Sequence, residues 1–226
     1  MGERIDNLQN GYYIIQDPEK FCFGVDAVLL SNFVELNKKE NKTILDIGCG
    51  NGIIPLLLHA KKINKITGIE INIENVNLAR RSFSKNDVEQ DLSIIHGDIK
   101  DIKIFLKGQK FDIVVSNPPY INNGSGLLNI TSDIAIARHE VFCTFEDIVA
   151  GAAYVLNHGG MFYFIHRPNR LVELIMTLRK YKLEPKKIQF VHSYKDTEAT
   201  MIMIAARRGA KPSCEVLEPI IMYERN

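Results

Sequence analysis

The sequence predicts an α/β fold, a doubly wound and mostly parallel sheet, and three observations carry that prediction. From Thr43 onward, short apolar runs alternate with helical runs. Several of the apolar runs end in a glycine or an acid, the punctuation of a strand leaving a sheet. The last two apolar runs, 188–192 and 199–207, leave no room for a helix between them and predict an antiparallel hairpin.

Taken in order, residues 9–15 are rich in aromatic and β-branched side chains until Asp17-Pro18 breaks the run. Gly24 and Asp26 then precede an apolar helical run over 27–33. Residues 43–47 form a short apolar strand, and 53–60 read as a helix. A second strand over 65–69 ends at Glu70, followed by a helix over 73–86 and a third strand over 92–96. Residues 111–116, with Ile113, Val114 and Val115 consecutive, read as a fully buried strand. Thr144 with Asp147 three residues on is an N-cap signature, opening a helix to about Asn157 that Gly159-Gly160 ends. A strand over 161–165 follows, and Pro168 starts a further helix in its first turn.

A length of 226 residues suits one domain with its own core: an N-terminal cap segment (1–40), a core (41–210) and a tail (211–226). The 46% hydrophobic and 24% charged content is that of a soluble globular chain. No apolar stretch reaches the ~18 residues of a membrane span, and residues 1–10 lack the apolar centre of a signal peptide. Together they predict a cytoplasmic protein. Cys22, Cys49, Cys143 and Cys214 form no C-x-x-C pair and are expected as reduced thiols, and no cluster of Cys and His suggests a metal. The net charge of +1 singles out no nucleic-acid partner, so any RNA contact must be a local patch.

In a doubly wound sheet, ligands sit beyond the carboxyl ends of the strands, so the residues there are the ones to read. After the first strand of the alternation comes Asp46-Ile47-Gly48-Cys49-Gly50-Asn51-Gly52. The glycines run G-x-G-x-G, and position 53 is Ile where a dinucleotide fingerprint would place glycine. Glu70 lies 20 residues past Gly50, where a carboxylate can accept from both hydroxyls of a ribose. After the third strand, Asp98 can accept from an adenine amino group.

These features resemble the class I methyltransferases over about residues 44–207. The resemblance implies a Rossmann-like, seven-stranded sheet whose last strand is antiparallel, with helices on both faces. It implies S-adenosylmethionine as cofactor and S-adenosylhomocysteine as product. Asp46, Gly48, Gly50 and Gly52 match the glycine-rich motif, Glu70 the ribose acid and Asp98 the adenine contact. The adjoining Cys49, Ile71 and Ile99 complete the set.

The fourth strand leads into Asn117-Pro118-Pro119-Tyr120. The prolines fix the backbone and remove two N–H donors, leaving carbonyls to face a ligand. An amine on an aromatic ring or an amide is a poor nucleophile. The Asn117 side-chain oxygen and the Pro118 carbonyl can accept its two N–H bonds, hold it in line with a methyl donor and support developing positive charge. Asn117 thus belongs to the catalytic and the cofactor sets alike. Tyr120 offers a flat face for stacking. Families that share this tetrapeptide methylate adenine N6, guanine N2 or a release-factor glutamine amide.

The segment 21–30, with Gly24 and Asp26 ahead of an apolar helix, resembles the bacterial tRNA adenine-N6 methyltransferases that modify the adenine beside the anticodon of a valine tRNA. Arg138-His139-Glu140 resembles them too. The resemblance implies a tRNA partner, with Gly24 and Asp26 at the methionine end of the cofactor and Tyr120, Arg138, His139, Arg167 and Arg170 meeting RNA. A guanine-N2 rRNA enzyme, a release-factor glutamine N5 enzyme and a cofactor-binding RNA assembly factor remain alternatives. The short N-terminal segment disfavours the release-factor class, whose helical domain before the core is longer.

Overall fold

The computed structural model describes residues 2–19, 22–36, 42–118 and 143–224. The chain opens with a two-stranded antiparallel hairpin, β1 (Arg4–Asn7) and β2 (Tyr13–Gln16). The run 9–15 is therefore only partly strand. Gln9 and Gly11 adopt left-handed backbone (φ 57° and 94°) and turn the chain between the two arms.

Helix α1 (Val25–Phe33) follows, then β3 (Ile44–Ile47), α2 (Ile53–His59), β4 (Ile66–Glu70), α3 (Ile73–Lys85) and β5 (Leu92–His96). A short 3₁₀ turn and a one-turn helix α4 (Ile102–Phe105) lead to β6 (Phe111–Ser116). The second half holds α5 (Phe145–Val155), β7 (Leu156–His166), α6 (Leu171–Lys180), β8 (Leu183–His192) and β9 (Ala199–Arg208). Two-residue strands β10 (Glu215–Val216) and β11 (Ile220–Ile221) close the chain.

The main sheet runs β10-β8-β9-β7-β6-β3-β4-β5, with β11 pairing to β8. Among the described residues it has nine strands where seven were expected, because the tail adds β10 and β11 alongside β8. The seven long strands keep the expected pattern. β3 to β7 are parallel, and β9 inserts antiparallel between β7 and β8.

Period-two alternation of the strands assigns side chains to two cores. Ile44, Ile113 and Val115 pack with α1, α2 and α3 on one face. Leu45, Val114 and Phe162 pack with α5 and α6 on the other. In the second core, Phe162 and Phe164 stack at 5.0 Å and Phe145 meets Phe164 at 5.0 Å. Full burial of such a side chain stabilises the fold by roughly 1.5–3 kcal/mol.

Local signals account for the helix starts. Thr144 and Asp147 form a reciprocal capping box ahead of α5. The Asn72 side chain accepts from Glu74 N–H at 2.8 Å and caps α3. Gly159-Gly160, expected to end α5, lies instead within β7: the helix ends at Val155 and the strand begins at Leu156. Leu156 pairs with Phe111 but Met161 with Ile113, so residues 157–160 bulge from the ladder, with Gly159 at φ 78°.

Candidate functional site

Three neighbouring strands, β6, β3 and β4, end side by side, and the candidate site lies at that edge. In β3, Asp46 shares a face with Ile44 and pairs in register with Gly68 of β4 and Val115 of β6. The loop that follows is pinned to β4: the Gly48 and Cys49 N–H groups both donate to the Ile69 carbonyl, at 2.9 and 3.2 Å. Gly48, Gly50 and Gly52 all lie in the left-handed region, at φ 72°, 54° and 83°.

The three glycines differ in what surrounds them. A Cβ at Gly52 would sit 2.7 Å from the Phe83 ring and 3.1 Å from Ala79, so glycine there permits α2 to pack on α3. A Cβ at Gly48 or Gly50 would meet nothing within 4 Å. Those two positions leave open space over the loop, where backbone can approach a ligand closely.

Two carboxylates face this loop. Glu70 is 7% exposed; its Oε2 accepts from Gly50 N–H at 2.9 Å and its Oε1 from Asn72 N–H at 2.9 Å. It thereby ties β4 to the glycine loop and to the cap of α3. Asp46 is fully buried, and neither of its carboxylate oxygens has a hydrogen-bond partner in the structure. Burial, and then the nearby Glu70 charge, raise the Asp46 carboxyl well above its ordinary value. Burial also raises the Cys49 thiol, as do Asp46 and Glu70, so Cys49 is a packing residue and not a nucleophile. A buried carboxylate without a donor is costly and marks a position completed by a ligand. Glycines with open space and orphaned carboxylate oxygens suit a polar, hydroxyl- and amine-bearing cofactor.

At the adjacent strand end, Ser116 donates its hydroxyl to the Ile47 carbonyl at 2.9 Å, fixing the exit of β6 against β3. Asn117 follows and donates its Nδ2 to Asp26 Oδ2 at 3.0 Å. Helix α1 therefore reaches the site from above, and the structure brings Asp26 and Asn117 together. Pro118 is buried. The sequence-predicted Pro119, Tyr120, Arg138 and His139 lie outside the described residues.

Asp98 stands at the end of β5, and its Oδ1 accepts from Lys100 N–H at 2.9 Å. Ile99 beside it is 7% exposed, whereas Ile71, next to Glu70, is 40% exposed. Arg167 and Arg170 follow β7, the strand paired with β6. Both already make contacts within the chain: Arg167 Nη1 donates to the Thr200 carbonyl at 3.0 Å, and Arg170 pairs with Glu173. Just before them His166 ends β7, and burial and Arg170 push its pKa down to about 4, so it is a neutral imidazole.

Sequence reasoning missed Gln16. It is 1% exposed; its Oε1 accepts from Phe23 N–H at 3.0 Å and Asn51 Nδ2 at 3.4 Å, and its Nε2 donates to Asp6 at 2.5 Å. Gln16 thus joins the hairpin, the entry to α1 and the glycine loop. A single glutamine after an apolar run carries no pattern, so nothing in the sequence marked it. All four cysteines are free thiols. Among the described residues, no group of three or more His, Cys, Asp or Glu is placed to hold a metal, and no helix is long and apolar enough to cross a membrane.

A parallel sheet with one inserted antiparallel strand, a glycine loop between two buried acids and an asparagine at the next strand end define a class I methyltransferase. Residues 24–184 match the methyltransferase small domain family, and the chain belongs to that family. It is 28% identical over 182 residues to the tRNA1(Val) (adenine(37)-N6)-methyltransferase of Phocaeicola vulgatus, covering 80% of this chain and 75% of that one. The enzyme of the same name from Pedobacter heparinus is 30% identical over 169 residues, covering 74% and 69%. Among solved structures, a predicted O-methyltransferase from Agrobacterium tumefaciens superposes with a TM-score of 0.70 at 22% identity, covering 88% of both chains. The Thermus thermophilus 16S rRNA N2 G1207 methyltransferase, solved with AdoMet and guanosine, gives 0.63 at 18% identity, covering 91% of this chain and 50% of that one. These two show the shared fold.

Proposed function

We propose that this chain transfers a methyl group from S-adenosylmethionine to the exocyclic N6 of an adenine in tRNA, the adenine beside the anticodon of a valine tRNA. The observation that carries the reading is Asn117, held at the end of β6 one strand away from the orphaned Asp46 carboxylate and the open glycine loop. The similarity to the two tRNA1(Val) enzymes supports the choice of substrate.

Gly48, Cys49, Gly50 and Gly52 would hold the cofactor, with Glu70 and Ile71 serving its ribose and Asp98 and Ile99 its adenine. Bound there, it supplies an electrophilic methyl group. The rest is done by the chain. Asn117 Oδ1 and the Pro118 carbonyl accept the two N–H bonds of the substrate amine. They hold the nitrogen in line and oppose the positive charge that develops on it. Its extra proton leaves to water afterwards, so no side chain of unusual basicity is required. Tyr120 stacks on the adenine, which must leave its stack to reach the site. Arg138, His139, Arg167 and Arg170 meet the RNA backbone. The 226 residues act as one catalytic domain in the cytoplasm.

The test is methyl transfer from labelled S-adenosylmethionine to unmodified valine tRNA, 16S rRNA and a release factor, followed by mass spectrometry of the digested product. N6-methyladenosine from the tRNA alone is the expected result. N2-methylguanosine from rRNA, or label in release-factor glutamine alone, would overturn it.

A further inference from the structure

A carboxamide can catalyse only if it points the right end at the amine. Asn117 carries an acceptor, Oδ1, and a donor, Nδ2, on one planar group. Only Oδ1 is useful against an N–H bond of the substrate; Nδ2 in its place would repel the amine. A rotation of about 180° at the end of the side chain separates the two states, and nothing in the tetrapeptide itself selects between them.

The structure supplies the selection. Asp26 Oδ2 lies 3.0 Å from Asn117 Nδ2. An ionised carboxylate only accepts, so the atom facing it must be the donor, and the carbonyl end must face away from Asp26. Asp26 is itself fixed. Its Oδ1 accepts from Ala27 N–H at 2.9 Å, which folds the side chain back over the start of α1. Helix α1 is in turn held in the core by Ala27 and Leu30, at 1% and 0% exposed.

Gly24 belongs to the same device. A Cβ at position 24 would stand 2.8 Å from Asp26 Oδ1, a distance real Cβ atoms do not show. Its φ is −105°, so a side chain there would disturb the Asp26 carboxyl group and not the backbone conformation. A side chain there must push on Asp26 Oδ1, the oxygen held by Ala27 N–H, and so turn the carboxylate whose other oxygen meets Asn117. The Gly24-x-Asp26 spacing thus has a physical explanation apart from direct contact with a cofactor.

We infer that Asp26 is a positioning residue: it locks the Asn117 carboxamide with its oxygen toward the substrate amine, and Gly24 leaves room for it to do so. The inference rests on the reading of Asn117 as acceptor of the substrate N–H bond. It departs from the sequence expectation that Gly24 and Asp26 contact the methionine end of the cofactor.

The experiment compares Asp26→Ala, Asp26→Asn and Gly24→Ala with the unaltered chain in three measurements. These are S-adenosylmethionine affinity by calorimetry, the single-turnover rate on valine tRNA at saturating donor and RNA, and the side-chain amide signals of Asn117 in ¹H–¹⁵N spectra, assigned by their loss in Asn117→Ala. Misplacing a reacting group by an ångström costs about 100-fold. We expect Asp26→Ala to slow the saturated rate by about 10- to 100-fold, shift the Asn117 amide signals and change donor affinity by less than about threefold. Asp26→Asn keeps an acceptor and should recover much of the rate, and Gly24→Ala should reproduce part of the Asp26→Ala defect. Donor affinity weakened tenfold or more with an unchanged saturated rate would make Asp26 a cofactor ligand and overturn the inference. So would Asn117 signals identical with and without the Asp26 carboxylate. Should Asp26→Ala not fold, Asp26→Asn and Gly24→Ala decide the question. A wild-type chain inactive on tRNA would sink the proposed substrate, while the amide signals of the free protein would still test the contact.

Discussion

Two aspartates on adjacent strands sit at opposite edges of one sheet and are treated in opposite ways. At the carboxyl edge, Asp46 of β3 is fully buried and neither oxygen meets a donor. At the amino edge, Asp112 of β6 accepts from Thr43 N–H at 3.0 Å, the Thr43 hydroxyl at 3.1 Å and Asn157 Nδ2 at 3.0 Å. Burial raises both carboxyls. For Asp46 the Glu70 charge adds to that, and the group ends well above its ordinary value. For Asp112 the donors of Thr43 and Asn157, with Lys42, together outweigh burial and bring it below. Burial and polar satisfaction together separate the two ends: Asp46 is fully buried with no donor, whereas Asp112 is only partly buried and has three. Where the fold can supply donors the carboxylate is structural, and where it leaves them out a ligand is needed to complete the site.

The largest effect that can break this division falls on the carboxyl edge. Asn117→Ala removes one acceptor for the substrate amine, and loss of one such preorganised contact costs about 10²–10³ in rate. Methyl transfer should fall by that order, while donor affinity measured by calorimetry changes little. Unchanged turnover would show that Asn117 does not hold the amine.

A smaller contrast lies in how stability depends on pH. Asp46 ionises less readily folded than unfolded, so its contribution is fully present below the unfolded value near 3.8 and is lost as pH rises toward the raised folded value. The slope through that window is about −1.4 kcal/mol per pH unit. Asp112 has the opposite sign: its contribution is present above 3.8 and is lost as pH falls through the depressed folded value. Asp46→Asn should therefore flatten the loss of stability with rising pH in donor-free protein and weaken donor binding at least tenfold. Asp112→Ala should cost about 2 kcal/mol near neutrality, lowering Tm by roughly 4–8 °C. It should leave donor affinity intact. Thermal unfolding across pH 4–9, with and without S-adenosylmethionine, reads both. If Asp112→Ala alters donor affinity while Asp46→Asn does not, the two edges have been assigned the wrong way round.

The division between edges also governs what could be read in advance. Strands β3 to β6 were legible because each is a short apolar run followed at once by glycine, an acid or Asn-Pro. The same punctuation exposed Asp46, Glu70 and the glycine loop. The hairpin β1–β2 was less legible because its arms are only four residues long, although Asn10-Gly11 was a turn signal within reach. Gly159-Gly160 read as a helix stop because nothing local distinguishes that from a bulge inside β7. The Asp26–Asn117 contact was not legible at all: it joins residues 91 positions apart, and only the packing of α1 brings them together. Gln16 escaped for the same reason, since its partners are Asp6, Phe23 and Asn51.

The smallest predicted effect tests whether the N-terminal hairpin obeys the same division, because it touches both edges. Its end, Gln16, reaches the glycine loop through Asn51. Its turn reaches the far side, where Tyr12 Oη lies 2.9 Å from His59 Nδ1 and His59 Nε2 lies 3.0 Å from Asp91 Oδ2. That chain links the hairpin, the end of α2 and the start of β5, and each member has its partner. Tyr12→Phe keeps the ring and removes one hydrogen bond, worth about 1 kcal/mol. For a chain of this size the melting temperature should drop by roughly 2–4 °C. Donor affinity and methyl-transfer rate per folded molecule should stay as they are, because no atom at the carboxyl edge depends on that bond. A Tyr12→Phe protein of wild-type stability but weakened donor binding would mean that the hairpin moves as a rigid lever on the glycine loop, and the separation of the two edges would fail.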